Sequence, residues 1–256
     1  MLDLERRGVA ATWDLGPYRS PHGIATSRDG ALLWVTCEGN RAVLELDARD
    51  GRVLRAWETG QEVSHMLAPT PDERKLYVAN IRSGSVTVVD RASGAVRSIA
   101  TGAGAEGVDV TPDGREAWVT NRGANTITVL DTRTDSVVAT LPSGGEFPIR
   151  IKFTPDGAQA WVSNARSNAV AVFDVRARAP LGTIAVGAMP VGIQMSPDGA
   201  RAFVANTNDD RVTELDVASR AVLRTFSSGR EPDGMMWAPP VTKNATPAKA
   251  GSKKST

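Results

Sequence analysis

Two histidines, His22 and His65, occupy the same position in adjacent copies of an internal repeat, and they are the only histidines in the chain. Carboxylates and an arginine take the corresponding position in other copies. In chain order, the aligned residues are His22, His65, Glu106, Arg150, Val191 and Asp233. Imidazole and carboxylate groups are ligands of zinc, copper and similar divalent ions. A guanidinium can hold an anionic group through two parallel hydrogen bonds.

These residue types allow two kinds of site, and the sequence leaves both open. A ligand-binding site would use His22, His65, Glu106, Arg150 and Asp233 to hold a small molecule or a protein partner. A divalent metal site would use His22, His65 and Glu106, with Glu106 as a ligand or as the base of a hydrolase. Neither histidine lies near a plausible serine nucleophile in sequence, so we assign no catalytic residue. A third possibility involves no ligand. The same residues would then line the solvated entrance of a central channel, where Arg150 and Glu106 would form an ordinary salt bridge.

The repeat that aligns these residues carries three markers in a constant order. The first is a turn of the type Ser/Thr-Pro-Asp-Gly, which recurs every 41 to 43 residues. Its aspartates are Asp29, Asp72, Asp113, Asp156 and Asp198. The second marker is an aromatic-Val-x-Asn segment such as Trp118–Asn121, and the third is an aspartate such as Asp131. Because the three markers stay in phase over five copies, they predict a repeat architecture.

Each copy has the pattern of four short strands separated by turns. The turn glycine supplies the positive φ of a tight hairpin, and segments such as Thr126–Leu130 alternate with the period of a pleated strand. A repeat of about 42 residues with four strands predicts an all-β fold of the β-propeller type. We expect five complete blades and an incomplete sixth in a single domain over residues 1–240.

The predicted blade repeats are 21–60, 64–102, 105–144, 148–186 and 190–228. A closing blade would take its fourth strand from residues 1–16 and its first strand from residues 231–238, which would protect the sheet edges. The sequence lacks the two middle strands of that unit, so we expect a truncated N-terminus. Residues 241–256 are polar and basic, and we expect a disordered tail there.

Composition excludes several classes of protein. Lys and Arg number 30 and Asp and Glu 29, so the net charge of +1 gives no basic field for nucleic acid or an anionic membrane. The single cysteine, Cys37, rules out an internal disulfide and a cysteine-rich zinc site. Apolar stretches are shorter than the roughly 18 residues of a membrane helix, so we expect no membrane insertion. The first residues contain no signal peptide, and we expect a monomer.

The repeat resembles the YVTN-repeat β-propeller family, the YncE-like proteins. The most similar segments are Trp118–Asn121 and Pro190–Gly199, and the likeness extends over about residues 9–238. The resemblance implies an exported protein, periplasmic or extracellular, that acts as a binding or scaffold module. Some relatives bind single-stranded DNA, and others share the propeller with lactonases. The sequence departs from the family at Cys37, where other copies have Asn, and at Glu73, which replaces the turn glycine.

Single-stranded nucleic acid is a further candidate partner, which the near-zero charge disfavours. Arg82, Arg122, Arg166 and Arg211 follow the second strands, but the aromatic residues needed for base stacking lie at core positions. We therefore predict a non-catalytic, exported recognition or scaffold protein with its site at the channel mouth. The alternatives are a metal-dependent, lactonase-like hydrolase and a protein that binds single-stranded nucleic acid.

Overall fold

The computed structural model describes residues 1–238 of the chain. Residues 1–12 and residues 13–237 belong to different compact units. In the first, β1 (Leu2–Asp3) and β2 (Gly8–Val9) form an antiparallel hairpin. In the second, strands β3 to β22 form five antiparallel sheets of four strands, which we call blades 1 to 5 in chain order. The predicted all-β propeller fold is confirmed.

Within each blade, every strand pairs with the strand that precedes or follows it in sequence. The strands of blades 1 and 2 are β3 (Pro21–Thr26), β4 (Leu32–Cys37), β5 (Ala42–Asp47), β6 (Val53–Glu58), β7 (Ser64–Pro69), β8 (Lys75–Asn80), β9 (Ser85–Asp90) and β10 (Val96–Ala100). Those of blade 3 are β11 (Ala105–Val110), β12 (Glu116–Asn121), β13 (Thr126–Asp131) and β14 (Ser136–Pro142). Those of blades 4 and 5 are β15 (Pro148–Phe153), β16 (Gln159–Asn164), β17 (Ala169–Asp174), β18 (Ala179–Ala185), β19 (Pro190–Met195), β20 (Arg201–Asn206), β21 (Arg211–Asp216) and β22 (Val222–Ser227).

Short 3₁₀ helices follow the second strand in blades 1, 4 and 5. They span Glu38–Asn40, Ala165–Ser167 and Thr207–Asp209. Over residues 1–238, none of the helices is long and apolar enough to cross a membrane.

The predicted turn connects the first and second strands of each blade. In blade 3 the amide of Gly114 donates to the carbonyl of Thr111, and the hydroxyl of Thr111 donates to Asp113 Oδ1 over 2.6 Å. Asp113 Oδ1 also accepts from the amide of Arg115. Gly114 has a φ of 73°, which glycine adopts without the strain of a Cβ. In blade 2 Glu73 takes a φ of 57°, so the turn forms there without glycine.

The aromatic residue of the second strand is a core residue in blades 1 to 4. The completely buried members are Trp34, Tyr77, Trp118 and Trp161. Burial of such a side chain contributes roughly 1.5–3 kcal/mol. The asparagine that ends the strand is also structural, because Asn121 Nδ2 donates to Thr128 Oγ1 over 2.9 Å within blade 3.

Asp135, in the turn between β13 and β14, joins blade 3 to blade 2. Its carboxylate accepts a hydrogen bond from the hydroxyl of Tyr77 and lies 2.9 Å from Lys75 Nζ and 2.8 Å from a guanidinium nitrogen of Arg97. Burial and the hydrogen bond to Asp135 raise the pKa of Tyr77, so its phenol remains a hydrogen-bond donor. Three side chains of blade 2 therefore contact one carboxylate of blade 3, and this cluster holds the two blades together.

The closing blade predicted from residues 1–16 and 231–238 is not assembled from those strands. Residues 8–9 pair with residues 2–3 in the hairpin, and residues 232–237, although within the described range, form no strand. The tail predicted over residues 241–256 lies outside the described residues.

Candidate ligand site at the channel mouth

The first strands of successive blades lie side by side, so their starting ends converge on one channel mouth. Each of these strands contains a register shift. In blade 1, Pro21 pairs with Cys37, but Ile24 pairs with Val35. A bulge of this kind adds an unpaired residue and re-aims the side chains beside it. In each of the five blades, the bulge therefore places residues that have no partner in the adjacent strand at the mouth.

Hydrogen bonds between blades fix the spacing of these positions. Thr36 Oγ1 donates to the carbonyl of His65 over 2.5 Å, and Thr120 Oγ1 donates to the carbonyl of Ile149 over 2.9 Å. At Gly107, a Cβ would lie only 2.2 Å from the Ile149 carbonyl oxygen. This close approach of two first strands requires glycine at that place.

The strand pairing corrects the position of Arg150, which lies one residue beyond the place equivalent to His22. The bulge begins at Pro21 in blade 1 and at Pro148 in blade 4. The equivalent of His22 in blade 4 is therefore Ile149, and the alignment that placed Arg150 there was wrong. Arg150 takes the second bulge position, because the extra residue of the bulge lets either of two consecutive side chains reach the mouth.

His22 and His65 are brought together as stacked rings. Their centroids are 3.7 Å apart and their planes are inclined by 25°. Nδ1 of His65 lies 2.5 Å from Oε1 of Glu38, and its Nε2 lies 3.6 Å from Oε1 of Glu106. The imidazole of His65 is thus bracketed by two carboxylates.

The surroundings of His22 favour its neutral form. Partial burial of the ring lowers the pKa of His22 below its ordinary value of 6.5, and the charge of His65 lowers it further. Glu38 and Asp233 act in the opposite direction, whereas Arg150 adds to the lowering. A neutral imidazole offers a lone pair to a metal ion or a proton.

Three candidate ligand atoms, one each from His22, Glu38 and His65, lie within 4.8 Å of one another. Two imidazoles and a carboxylate are a donor set that zinc and copper accept. The predicted third ligand, Glu106, lies outside this group. Its carboxylate is 2.6 Å from Nη1 of Arg122, so a guanidinium already balances its charge. Glu38, and not Glu106, is therefore the carboxylate that could serve as the third metal ligand.

A signal for Glu38 is present in the repeat. Glu38 directly follows the second strand of blade 1, and Arg122 directly follows the second strand of blade 3. The second strand ends opposite the start of the bulge, as the pairing of Pro21 with Cys37 shows. The residue after the aromatic-Val-x-Asn segment is therefore a second mouth position in each blade.

Arg150 lines the channel with one nitrogen unpaired. The residue is only 8% exposed, and Nη2 lies 3.5 Å from Oδ1 of Asp233, whose side chain is half exposed. Nη1 is buried and has no hydrogen-bond partner among residues 1–238. Burial lowers the pKa of Arg150, while Asp233 and Glu106 raise it. An arginine keeps its charge in proteins, so the site holds a buried cation with a spare donor.

His22, Arg150 and Asp233 also line a channel of about 560 Å³. Lys152 and Asp109 are further lining residues, and Lys152 Nζ lies 3.3 Å from Oδ2 of Asp109. Volumes of this size accommodate small organic molecules.

The arginines that follow the second strands have different surroundings. The guanidinium carbons of Arg122 and Arg166 lie 5.1 and 4.3 Å from the ring centroid of Phe147. Arg82 and Arg211 are exposed. Two of the four are therefore engaged by one aromatic ring.

Comparisons with known proteins agree on the architecture. A sequence model of the virginiamycin B lyase family matches residues 13–245. No curated protein matches the chain in sequence. The fold is similar to that of hydrazine synthase from Kuenenia stuttgartiensis, with 19% identity, a TM-score of 0.66 and coverage of 88% of this chain and 92% of that one. It is also similar to a functionally unknown protein from Desulfotomaculum acetoxidans DSM 771, with 19% identity, a TM-score of 0.73 and coverage of 82% and 71%.

Proposed function

The chain belongs to the virginiamycin B lyase family of β-propellers, and we propose that it is a recognition protein that binds a small anionic molecule at the channel mouth. The observation that carries the proposal is the buried, unpartnered Nη1 of Arg150. His22, His65, Glu106 and Asp233 surround the bound molecule; the imidazoles can hydrogen-bond to it, and the two carboxylates limit the negative charge that it can carry.

The charge balance at Arg150 supports an anionic ligand. A buried cation is costly unless an opposite charge and hydrogen-bond acceptors accompany it. Asp233 is the carboxylate nearest to Arg150, but its 3.5 Å contact is long and its side chain is half exposed. A carboxylate or phosphate oxygen in the channel would supply the missing acceptor through the guanidinium fork.

Thermal melts in sodium acetate or sodium phosphate, against sodium chloride at equal ionic strength, test this function. An anion at 100 times its Kd stabilises the folded state by about 2.7 kcal/mol, so the midpoint should rise. Arg150→Met should abolish the rise, and Arg82→Met, which removes an exposed arginine, should keep it. Equal midpoints in all three salts for the unmodified chain would contradict the proposal.

The finer resemblance to YVTN-repeat, YncE-like proteins supports an exported, non-catalytic scaffold role. This part of the proposal rests on the repeat motifs alone. Fractionation of cells that express the native gene tests it, because an exported protein is released with the periplasm or the medium. Recovery with the cytoplasmic fraction would contradict it.

A second candidate function is a metal-dependent enzyme, either a lyase, as in the family name, or a lactonase-like hydrolase. The grouping of His22, Glu38 and His65 within 4.8 Å supports it. These three side chains would hold a divalent ion, which supplies a Lewis acid when bound. Arg150 would orient an anionic substrate group beside it, and the neutral ring of His22 would offer a lone pair.

Metal binding separates the two candidates. After treatment with a chelator, addition of Zn²⁺ or Cu²⁺ should raise the melting midpoint of the unmodified chain. His65→Ala should remove that rise, and the exposed control Arg82→Ala should retain it. A midpoint that is indifferent to both ions would exclude the metal-dependent candidate and leave the anion-binding proposal intact.

A further inference from the structure

The channel mouth has a polar side and an apolar side. Blades 1 and 2 place His22 and His65 at the first bulge position, whereas blades 4 and 5 place Ile149 and Val191 there. Ile149 and Val191 pack with Ala165 in one cluster. The change from imidazole to aliphatic side chains therefore occurs within one set of equivalent positions.

Two larger side chains, Phe147 and Met189, cover this cluster and remain partly exposed. We call Phe147, Ile149, Ala165, Met189 and Val191 the apolar lip. Phe147 and Met189 each precede a first strand, where the amide of Phe147 donates to Asn125 Oδ1 and that of Met189 donates to Asn168 Oδ1.

The backbone at these two residues is strained. Phe147 has a φ of 59° and Met189 a φ of 57°, in the left-handed region that favours glycine and asparagine. The equivalent residue in blade 3 is Gly104, with a φ of 72°, so the fold accepts glycine at this place. A bulky side chain in such a conformation costs roughly 1–3 kcal/mol, and the repeat imposes the conformation in blades 1 and 2 as well, at Ser20 and Val63.

The lip adjoins the anion-binding side of the mouth. Ile149 directly precedes Arg150 in β15. Arg122 connects the two sides, because its guanidinium contacts Glu106 at 2.6 Å and lies over the ring of Phe147. A molecule that binds Arg150 and extends past Glu106 and Arg122 would thus reach the ring of Phe147.

We propose that the ligand of the mouth is an amphipathic anion, a carboxylate that carries an aromatic or alkyl group. Its charged end pairs with Arg150 and its apolar end packs on Phe147 and Met189. This inference rests on the proposed anion-binding function, and it specifies the chemical class of the ligand.

Titration calorimetry with acetate and with phenylacetate tests the inference. Both anions carry one carboxylate, and phenylacetate should bind about tenfold more tightly, which corresponds to about 1.4 kcal/mol. Met189→Asn and Phe147→Asn should remove most of that difference while the binding of acetate stays unchanged. Because asparagine suits a left-handed backbone, neither variant should lose stability through its conformation.

Val63→Asn is the matched control, since Val63 occupies the equivalent place in blade 2 with a φ of 56°. This variant should preserve the preference for phenylacetate. Equal binding of the two anions, or an unchanged preference in both lip variants, would overturn the inference and leave the anion site standing. Failure of both carboxylates to bind would overturn this inference, and equal melting midpoints in acetate, phosphate and chloride as well would overturn the proposed function itself.

Discussion

Glu38 and His65 come from adjacent blades and meet at the channel mouth, where Glu38 Oε1 lies 2.5 Å from Nδ1 of His65. The contact fixes the orientation of the imidazole, whose ring stacks on His22. A carboxylate that holds a histidine in this way fixes the orientation of the ring and leaves the other ring nitrogen to face a metal or a ligand. The Glu38–His65 pair therefore holds both imidazoles in a fixed arrangement at the mouth.

The first prediction distinguishes the two carboxylates that bracket His65. Glu38→Ala should weaken the binding of Zn²⁺ about 10–100-fold, because it removes a ligand and the partner that orients the ring. Glu106→Gln should leave Zn²⁺ binding nearly unchanged, since Arg122 already occupies that carboxylate. Midpoint shifts against Zn²⁺ concentration measure both variants. The opposite order of effects would assign Glu106 as the ligand.

The second prediction concerns pH. Because the pKa of His22 is lower in the folded chain than its ordinary value of 6.5, the unfolded state binds more protons in that range. The contribution of His22 to stability is complete above pH 6.5 and is lost as the pH falls through the folded-state pKa. Urea unfolding at a series of pH values should show a shallower acid loss in His22→Gln. Parallel profiles for the two proteins would contradict this assignment.

The third prediction concerns the contact between blades 2 and 3. Asp135→Asn should lower the free energy of unfolding by about 1–2 kcal/mol, because Tyr77 and Lys75 lose a partly buried, charged acceptor, whereas the half-exposed Arg97 loses little. Asn tolerates the φ of 51° at this position, so the backbone adds no penalty. Asp50→Asn, in an exposed turn, should change stability very little. Chemical denaturation of both variants measures their free energies of unfolding. Equal losses would show that the Asp135 cluster does not stabilise the contact between blades 2 and 3.

The fourth prediction concerns the tight approach of the first strands. Gly107→Ala would place a Cβ 2.2 Å from the Ile149 carbonyl oxygen, so the strands must separate at the mouth. We expect a loss of about 1–3 kcal/mol of stability, as in overpacked cores. Gly229→Ala meets no atom within 4 Å and serves as the control. A stable Gly107→Ala variant would show that the strand spacing is adjustable.

The period of the repeat was sufficient to predict the fold. Markers spaced by 41 to 43 residues fix where each turn, buried aromatic and terminal asparagine must lie, because each blade repeats one local solution. The same logic placed His22 and His65 side by side, since equivalent residues of adjacent repeats are neighbours. Predictions of this kind need no knowledge of the pairing between strands.

The site details depended on information that a repeat alignment lacks. The matching register shifts of blades 1 and 4 make Ile149 the equivalent of His22, and Arg150 reaches the mouth from the next position only because the strand is bulged there. Glu38 was missed because it belongs to a different segment, and its approach to His65 depends on the register between β3 and β4 and on the packing of two blades. Both relationships arise from tertiary contacts.

The hydrogen bonds from Thr36 to the His65 carbonyl and from Thr120 to the Ile149 carbonyl have a mechanical consequence. In a repeat protein each unit is held by its immediate neighbours, so unfolding can begin at any junction. A molecule that touches His22 in blade 1 and Arg150 in blade 4 would cross-link units that are distant in sequence. Occupancy of the mouth would then lengthen the lifetime of the folded chain against proteases.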